Sequence, residues 1–216
     1  FAYAPHEPIW RDSSPVTAAE ARELDRECLK RGIDLAPNQN CFGHLHRWLR
    51  NANYQHLAET TGEWKFLRWP RVGPFSLCPI DPASEAFVAG LLEEMAPCFS
   101  SGLVNIGCDE TFDVGQGRSE AEVAARGRPA VYFEFVAKVC AIARRLGKRP
   151  MMWADIALSH PEALDLFPKD AVGLAWGYEP DMDSSEACRR LIEQGVEPWV
   201  CPGTSAWLSI TGRTME

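Results

Sequence analysis

The sequence predicts an α/β fold of the (β/α)8 barrel class, present as an incomplete arc of about five βα units. Helical and strand periodicities alternate five times with no hairpin signal between strands, the pattern of a parallel sheet. Nearly every strand also ends in polar, acidic or aromatic residues: Asn38, Asn40 and His44; Asp109 and Glu110; Trp153 and Asp155; Trp176 and Tyr178; Thr204 and Trp207. A barrel collects its chemistry from most strand C-termini, whereas an open doubly wound sheet concentrates it at one switch point. No GxGxxG or GxxxxGK(S/T) fingerprint supports a dinucleotide or phosphate-loop alternative. A barrel typically takes about 250 residues, so the 216 residues are expected to form one partial domain, 1–216, about three strands short of closure.

Each element has a local reason. Thr17-Ala-Ala-Glu20 is a capping box, after which Ala21, Leu24 and Cys28 recur at helical spacing until Gly32. Ile33 to Asn40 reads as the first strand. A helix opens at Asp81-Pro82 with Phe87, Leu91 and Met95 on one face and leads to the strand that carries Asp109 and Glu110. Another spans about Pro129 to Leu146, stops at Gly147 and precedes the strand Pro150 to Asp155. A short helical stretch near Pro161 to Phe167 leads to Val172–Tyr178, and a helix capped by Ser184 or Ser185 ends at Gly195 before Pro198–Pro202. The stretch from Cys41 to Asp81 lacks regular periodicity but is rich in aromatic residues, as a covering loop or an active-site wall would be.

Composition narrows the function classes. With 46% hydrophobic and 24% charged residues the chain has material for a substantial core, and its formal charge of −8 without a basic run argues against a nucleic-acid partner. No apolar stretch approaches the ~20 residues that span a bilayer, so no membrane association is expected, and oligomeric state is not legible. The eight cysteines are dispersed, form no CxxC pair and fall partly at core positions, which fits a reducing, cytoplasmic setting better than a stapled secreted scaffold. Cys41, His44 and His46 form a C-x-x-H-x-H run without a second ligand pair, so neither a metal nor any other cofactor is expected.

The most informative segment is Leu103-Val-Asn-Ile-Gly-Cys-Asp-Glu110, an apolar strand ending in two adjacent carboxylic acids. Alternation puts Val104, Ile106 and Cys108 on one face and Asn105, Gly107 and Asp109 on the other. Two carboxyls in one pocket do not ionise equally; one becomes a proton donor and the other orients or stabilises. An N-cap or a surface acidic pair would have the same spelling. Aromatic residues beside carboxylates at strand ends suit a sugar, whose apolar face lies on an indole while its hydroxyls take polar partners.

These motifs together resemble the catalytic barrel of family-20 glycoside hydrolases, the β-N-acetylhexosaminidases. The resemblance rests on Phe1 to Glu7 with Trp10, Pro37 to His44, Asn105 to Glu110 with Gly117-Arg-Ser119, Trp153 to Ile156, Trp176 to Glu179, and Cys201 to Trp207 with Thr211-Gly-Arg213. It implies exo-acting, retaining hydrolysis of terminal GlcNAc or GalNAc from an oligosaccharide or glycoconjugate. In that scheme Glu110 is the general acid and later the base, and Asp109 orients the substrate's own 2-acetamido group, which attacks as nucleophile. His44 matches a Gly-His motif and would assist the acid. Trp153, Asp155, Trp176, Tyr178, Trp207, Asn40, His6 and Glu7 are the candidate substrate-binding residues, with a loop-capping acid the other reading of Asp155. The arginine of the family's first strand and the aromatic-acid pair of its last have no counterpart, and the region that commonly supplies a tyrosine to the acetamido oxygen reads Cys201-Pro-Gly-Thr-Ser-Ala-Trp207, which implies a different donor. Two alternatives remain: a retaining barrel glycosidase whose carboxylate nucleophile arises from a distant strand, and a catalytically silent carbohydrate-binding barrel.

Overall fold

The structure, a computed structural model, describes residues 1–179 and 181–203. Trp207, Thr204 and the Thr211 to Arg213 motif lie outside the described residues. In chain order the elements are α1 (Glu7–Trp10), α2 (Ala18–Leu29), α3 (His46–Leu49), β1 (Glu63–Phe66), β2 (Trp69–Val72), α4 (Pro82–Met95), β3 (Leu103–Asn105), α5 (Glu120–Arg126), α6 (Arg128–Arg145), β4 (Arg149–Trp153), α7 (Asp155–Ser159), β5 (Val172–Gly177), α8 (Ser185–Glu193) and β6 (Glu197–Pro202).

Strands β3, β4, β5 and β6 form one parallel sheet in sequential order. Sequential order without reversal means no topological switch point, which is the arrangement of a barrel arc and not of a doubly wound sheet. The strand expected over Ile33–Asn40 contributes only a parallel bridge between Asn38 and Asn105. Its backbone still tracks β3, with Asn105 N–H donating to Pro37, Gln39 N–H to Asn105 and Cys41 N–H to Ile106 at 2.9–3.0 Å. Pro37 has no N–H to give and Ile33 is half exposed, so the ladder does not extend toward the N-terminal side.

The sheet divides the apolar residues as its pleat requires. Val104, Ile106 and Met152 face the helices and join Val88, Leu91 and Leu92 of α4 and Phe135, Val136, Val139 and Ile142 of α6 in the main core. Met151, Val172 and Leu174 form a second, small cluster on the opposite face, with Leu103 and Trp153 packed against it. The capping box at Thr17 forms in full, and Asp81 caps α4 by accepting from Ala83 N–H at 2.8 Å. Burying these side chains contributes roughly 1.5–3 kcal/mol for each large aliphatic or aromatic residue.

Two elements were not legible in advance. Glu63–Val72 is an antiparallel hairpin whose turn, Leu67-Arg68, contains no Gly, Asn or Asp; Leu67 itself takes φ 54°. The helix α5 runs into α6 through Gly127 at φ 84°.

Candidate active site

β3 stops at Asn105, and the backbone then leaves the extended conformation: φ is 68° at Gly107, 71° at Cys108 and 53° at Glu110. A left-handed backbone is strained for residues with a Cβ, by about 1–3 kcal/mol each, so the turn must be held from several sides. Asn105 Oδ1 accepts from Gly107 N–H at 2.9 Å, the buried Tyr132 hydroxyl donates to the Cys108 carbonyl at 2.8 Å, and Asp155 Oδ2 accepts from Glu110 N–H at 3.0 Å. Gly43 runs against this turn so closely that a Cβ there would lie 2.5 Å from the Asp109 carbonyl oxygen, which explains why glycine precedes His44.

His44 is itself left-handed at φ 59° and places Nε2 3.0 Å from Asp109 Oδ2 and 3.4 Å from Glu110 Oε2. Nε2 is buried, and the two carboxylates are its polar neighbours. Burial works against a charged ring, but the approach of Asp109 and then Glu110 outweighs it and pushes the His44 pKa up to about 10. An imidazolium therefore sits between the two acids. Phe75 covers the ring edge-on at 4.8 Å between centroids.

Behind the turn, Asp155 is the carboxyl whose ionisation is visibly opposed. Burial, followed by the charges of Asp109 and Glu110, outweighs the bond from Glu110 N–H and pushes its pKa up to about 6. Farther along, Asp113 accepts from Ser76 N–H at 2.9 Å and Ser76 Oγ at 2.5 Å, and burial pushes it likewise to about 6. Ser119 N–H and Oγ donate to Glu59 Oε1 at 3.0 and 2.7 Å, and Arg118 pairs with Asp81 at 2.6 Å. The Gly117-Arg-Ser119 motif thus anchors the loop that follows the acids.

A cavity of about 420 Å3 opens at the C-terminal ends of the strands, lined by Asn38, Asn40, His44, Asp109, Glu110, Trp153, Trp176, Tyr178 and Cys201–Gly203. This is toward the small end of the ~300–1,000 Å3 range of small-molecule sites. Trp176 and Tyr178 meet at 5.7 Å between ring centroids.

The structure brings together Asn40, His44, Asp109, Glu110, Trp153, Trp176 and Tyr178 of the residues singled out in the sequence. Asp155 is not among the described residues of the cavity wall: it sits behind Glu110 and accepts from its backbone N–H, the geometry of a loop-capping acid. His6 is elsewhere too, its Nδ1 2.7 Å from the Tyr54 hydroxyl in a cluster with Tyr3, Trp48 and Phe87, because its own short helical segment packs on α4 and not on the strand ends. Glu7 is exposed and faces Arg11 one turn on. Asn38 lines the cavity; its strand-end position was the available signal. Tyr132, which braces the acid turn, and Glu59, which anchors the loop after it, carried none.

All eight cysteines are free. Cys41 is not available as a ligand: its thiol is buried, donates to the Gln39 carbonyl and is pushed far up in pKa by burial. His44, Asp109 and Glu110 place ligand-type atoms within 4.8 Å of one another.

Residues 10–215 match the glycosyl hydrolase family 20 catalytic domain. A β-hexosaminidase of Akkermansia muciniphila is 27% identical over 175 residues, 73% of this chain and 32% of that protein. Among solved structures, the Flavobacterium johnsoniae chitobiase superposes with a TM-score of 0.70 at 19% identity, covering 89% of this chain and 29% of its own. The GH20 exo-β-N-acetylglucosaminidase of Vibrio harveyi, in complex with N-acetylglucosamine, gives 0.68 at 23% identity, covering 87% and 28%. The chain thus spans about a third of the length of these relatives, and their fold is the barrel of which the sequential parallel sheet is an arc. With the match running through the acid turn and every strand of that sheet, the chain belongs to glycosyl hydrolase family 20.

Proposed function

We propose that this chain carries the acid machinery of an exo-acting β-N-acetylhexosaminidase that releases terminal GlcNAc or GalNAc from oligosaccharides or glycoconjugates, with retention and with the substrate's acetamido group as nucleophile. The observation that carries the reading is that Asp109 and Glu110, consecutive in sequence, both reach His44 Nε2 at the wall of an aromatic-lined cavity of monosaccharide scale. Glu110 protonates the glycosidic oxygen as the bond to the anomeric carbon breaks, while the acetamido carbonyl oxygen attacks that carbon to give an oxazolinium ion. Asp109 orients the acetamido group and offsets the positive charge that develops on it. Glu110, now ionised, takes a proton from the water that reopens the ring. Trp153 and Trp176 supply apolar walls, and Tyr178 is the one hydroxyl-bearing side chain among the described lining residues, which makes it the donor for the acetamido oxygen.

A protein nucleophile would need another carboxylate open to the anomeric carbon. Asp109 and Glu110 are the only acids among the described lining residues, and Asp155 is turned to the Glu110 backbone. The test is mass spectrometry of the whole protein trapped with a 2-fluoro glycoside, beside inhibition by a thiazoline that mimics the cyclised intermediate. Tight thiazoline binding without a covalent adduct is expected; a sugar ester on any carboxylate overturns the mechanism.

A further inference from the structure

A second cleft, about 330 Å3, meets the sugar cavity at Glu110, which lines both. Its other walls come from the hairpin β1–β2 and from the segment around α3: the half-buried Phe66 and Phe75, backed by the buried Trp64, supply aromatic surface, while His46, Arg50 and Arg71 supply basic groups. Because an acid that protonates the glycosidic oxygen stands between the sugar being released and the group leaving with that oxygen, a cleft on the far side of Glu110 is where the leaving group rests. This step depends on the function proposed above.

The cleft is cationic in a chain of net charge −8. Glu110 is the only acid among the described residues of its walls. Arg50 and Arg71 are exposed and have no ion pair among the described residues, so both charges are available to a ligand. Arg71 lies over the Phe66 ring at 5.7 Å, a contact that limits its rotamers. Burial, and then the charges of Arg50 and His44, hold the His46 pKa below its usual value. The hairpin is fixed to the loop bearing Glu110: the Gln116 side chain accepts from Lys65 N–H at 2.9 Å and donates to its carbonyl at 3.0 Å, and Phe66 packs on Phe112 at 4.7 Å.

We propose that this cleft selects substrates whose leaving group is a sugar bearing an anion, a sulfate ester or a carboxylate, stacked on the aromatic wall and paired with Arg50 and Arg71. The test compares kcat/KM of the whole protein on β-GlcNAc disaccharides ending in galactose, galactose 6-sulfate or glucuronate. At low ionic strength the anionic substrates should be favoured about 2- to 30-fold, the sum expected of two exposed charge pairs, and the preference should fade as salt rises. A preference for one anion alone supports the proposal and identifies the source. Arg50→Gln with Arg71→Gln should bring the ratio of anionic to neutral kcat/KM to one, while Arg50→Lys with Arg71→Lys keeps a salt-sensitive preference. Equal rates for neutral and anionic leaving groups, or a preference that survives the glutamine pair, overturn it. If no disaccharide is cleaved, the function proposed above has failed; quenching of tryptophan fluorescence by free galactose 6-sulfate but not by galactose then decides the cleft on its own, and equal responses refute it.

Discussion

Asp155→Asn replaces a carboxyl that never reaches the cavity with an amide of the same shape. In the fold Asp155 has a pKa raised from 3.8 to about 6, by burial and then by Asp109 and Glu110. Since the folded value exceeds the unfolded one, the native state binds the extra proton between these values, and stability falls as pH rises through that window. The difference of about 2.2 units, at 1.36 kcal/mol each, makes the loss about 3 kcal/mol from below pH ~3.8 to above pH ~6. Asparagine does not ionise, and its oxygen still accepts from Glu110 N–H, so the variant escapes this loss. Its amide nitrogen stands where Oδ1 is now buried without a hydrogen-bond partner, which adds a pH-independent cost of about 1–3 kcal/mol. The diagnostic quantity is therefore the slope and not the offset. Urea unfolding of both proteins from about pH 3.5 to 7.5 should show the variant gaining about 3 kcal/mol on the wild type across the window. Parallel stability curves would refute the placement of Asp155 as a charge buried against its two neighbours.

Glu110→Gln keeps shape but removes the transferable proton, so hydrolysis of poor leaving groups should fall by roughly 10²–10⁴-fold, with a smaller loss for activated aryl glycosides; equal losses would show that Glu110 is not the acid. Asp109→Asn should lower kcat more than it weakens binding of a product sugar, because the lost charge acts on the oxazolinium ion; a change in affinity alone would contradict that. His44 has its pKa raised to about 10 by the two acids against the effect of burial, so its contribution to stability is complete below about pH 6.5 and is lost as pH rises toward 10. Nitrogen NMR of the imidazole at pH 8 should find both ring nitrogens protonated, and His44→Gln should remove the alkaline decline in stability; a neutral ring at pH 8 would refute the ion-pair reading.

Much of the architecture was visible in the sequence because helix and strand periods are written in apolar residues. The capping box at Thr17, the helix after Asp81 and the division of Val104 and Ile106 from Asn105 appear as the pattern requires. What was not visible depends on tertiary partners. The Leu67-Arg68 turn holds a left-handed leucine that local preference argues against, and it forms because Gln116, fifty-one residues away, pins Lys65 on the strand before it. The first strand shrank to a bridge because its residues satisfy only one neighbour. The sequence leaves Asp155 open between a sugar-hydroxyl ligand and a loop-capping acid, because strand-end position does not show which way a side chain turns. His6 and Glu7 were drawn in by motif proximity, yet the space between an N-terminal helical segment and the strand ends is not a sequence property.

The acid pair itself poses a geometric problem that the strained backbone solves. In an extended strand, consecutive residues point to opposite faces, so Asp109 and Glu110 in regular β geometry could not meet one histidine. They do meet it, at 3.0 and 3.4 Å, because Cys108 and Glu110 are left-handed and the alternation is broken on either side of Asp109. Three of the four described non-glycine residues with positive φ, His44, Cys108 and Glu110, belong to this one contact. The strain is thus tied to the convergence of charges and not to chain reversal alone. Comparing Glu110→Ala with Glu110→Gly isolates it, because both variants lose the carboxylate and differ only in backbone freedom. At an ordinary position alanine is the more stable; at φ 53° glycine should exceed alanine by about 1 kcal/mol in chemical unfolding. If alanine proved equal or better, the left-handed turn would relax without the acid, and the backbone would be following the charges instead of placing them.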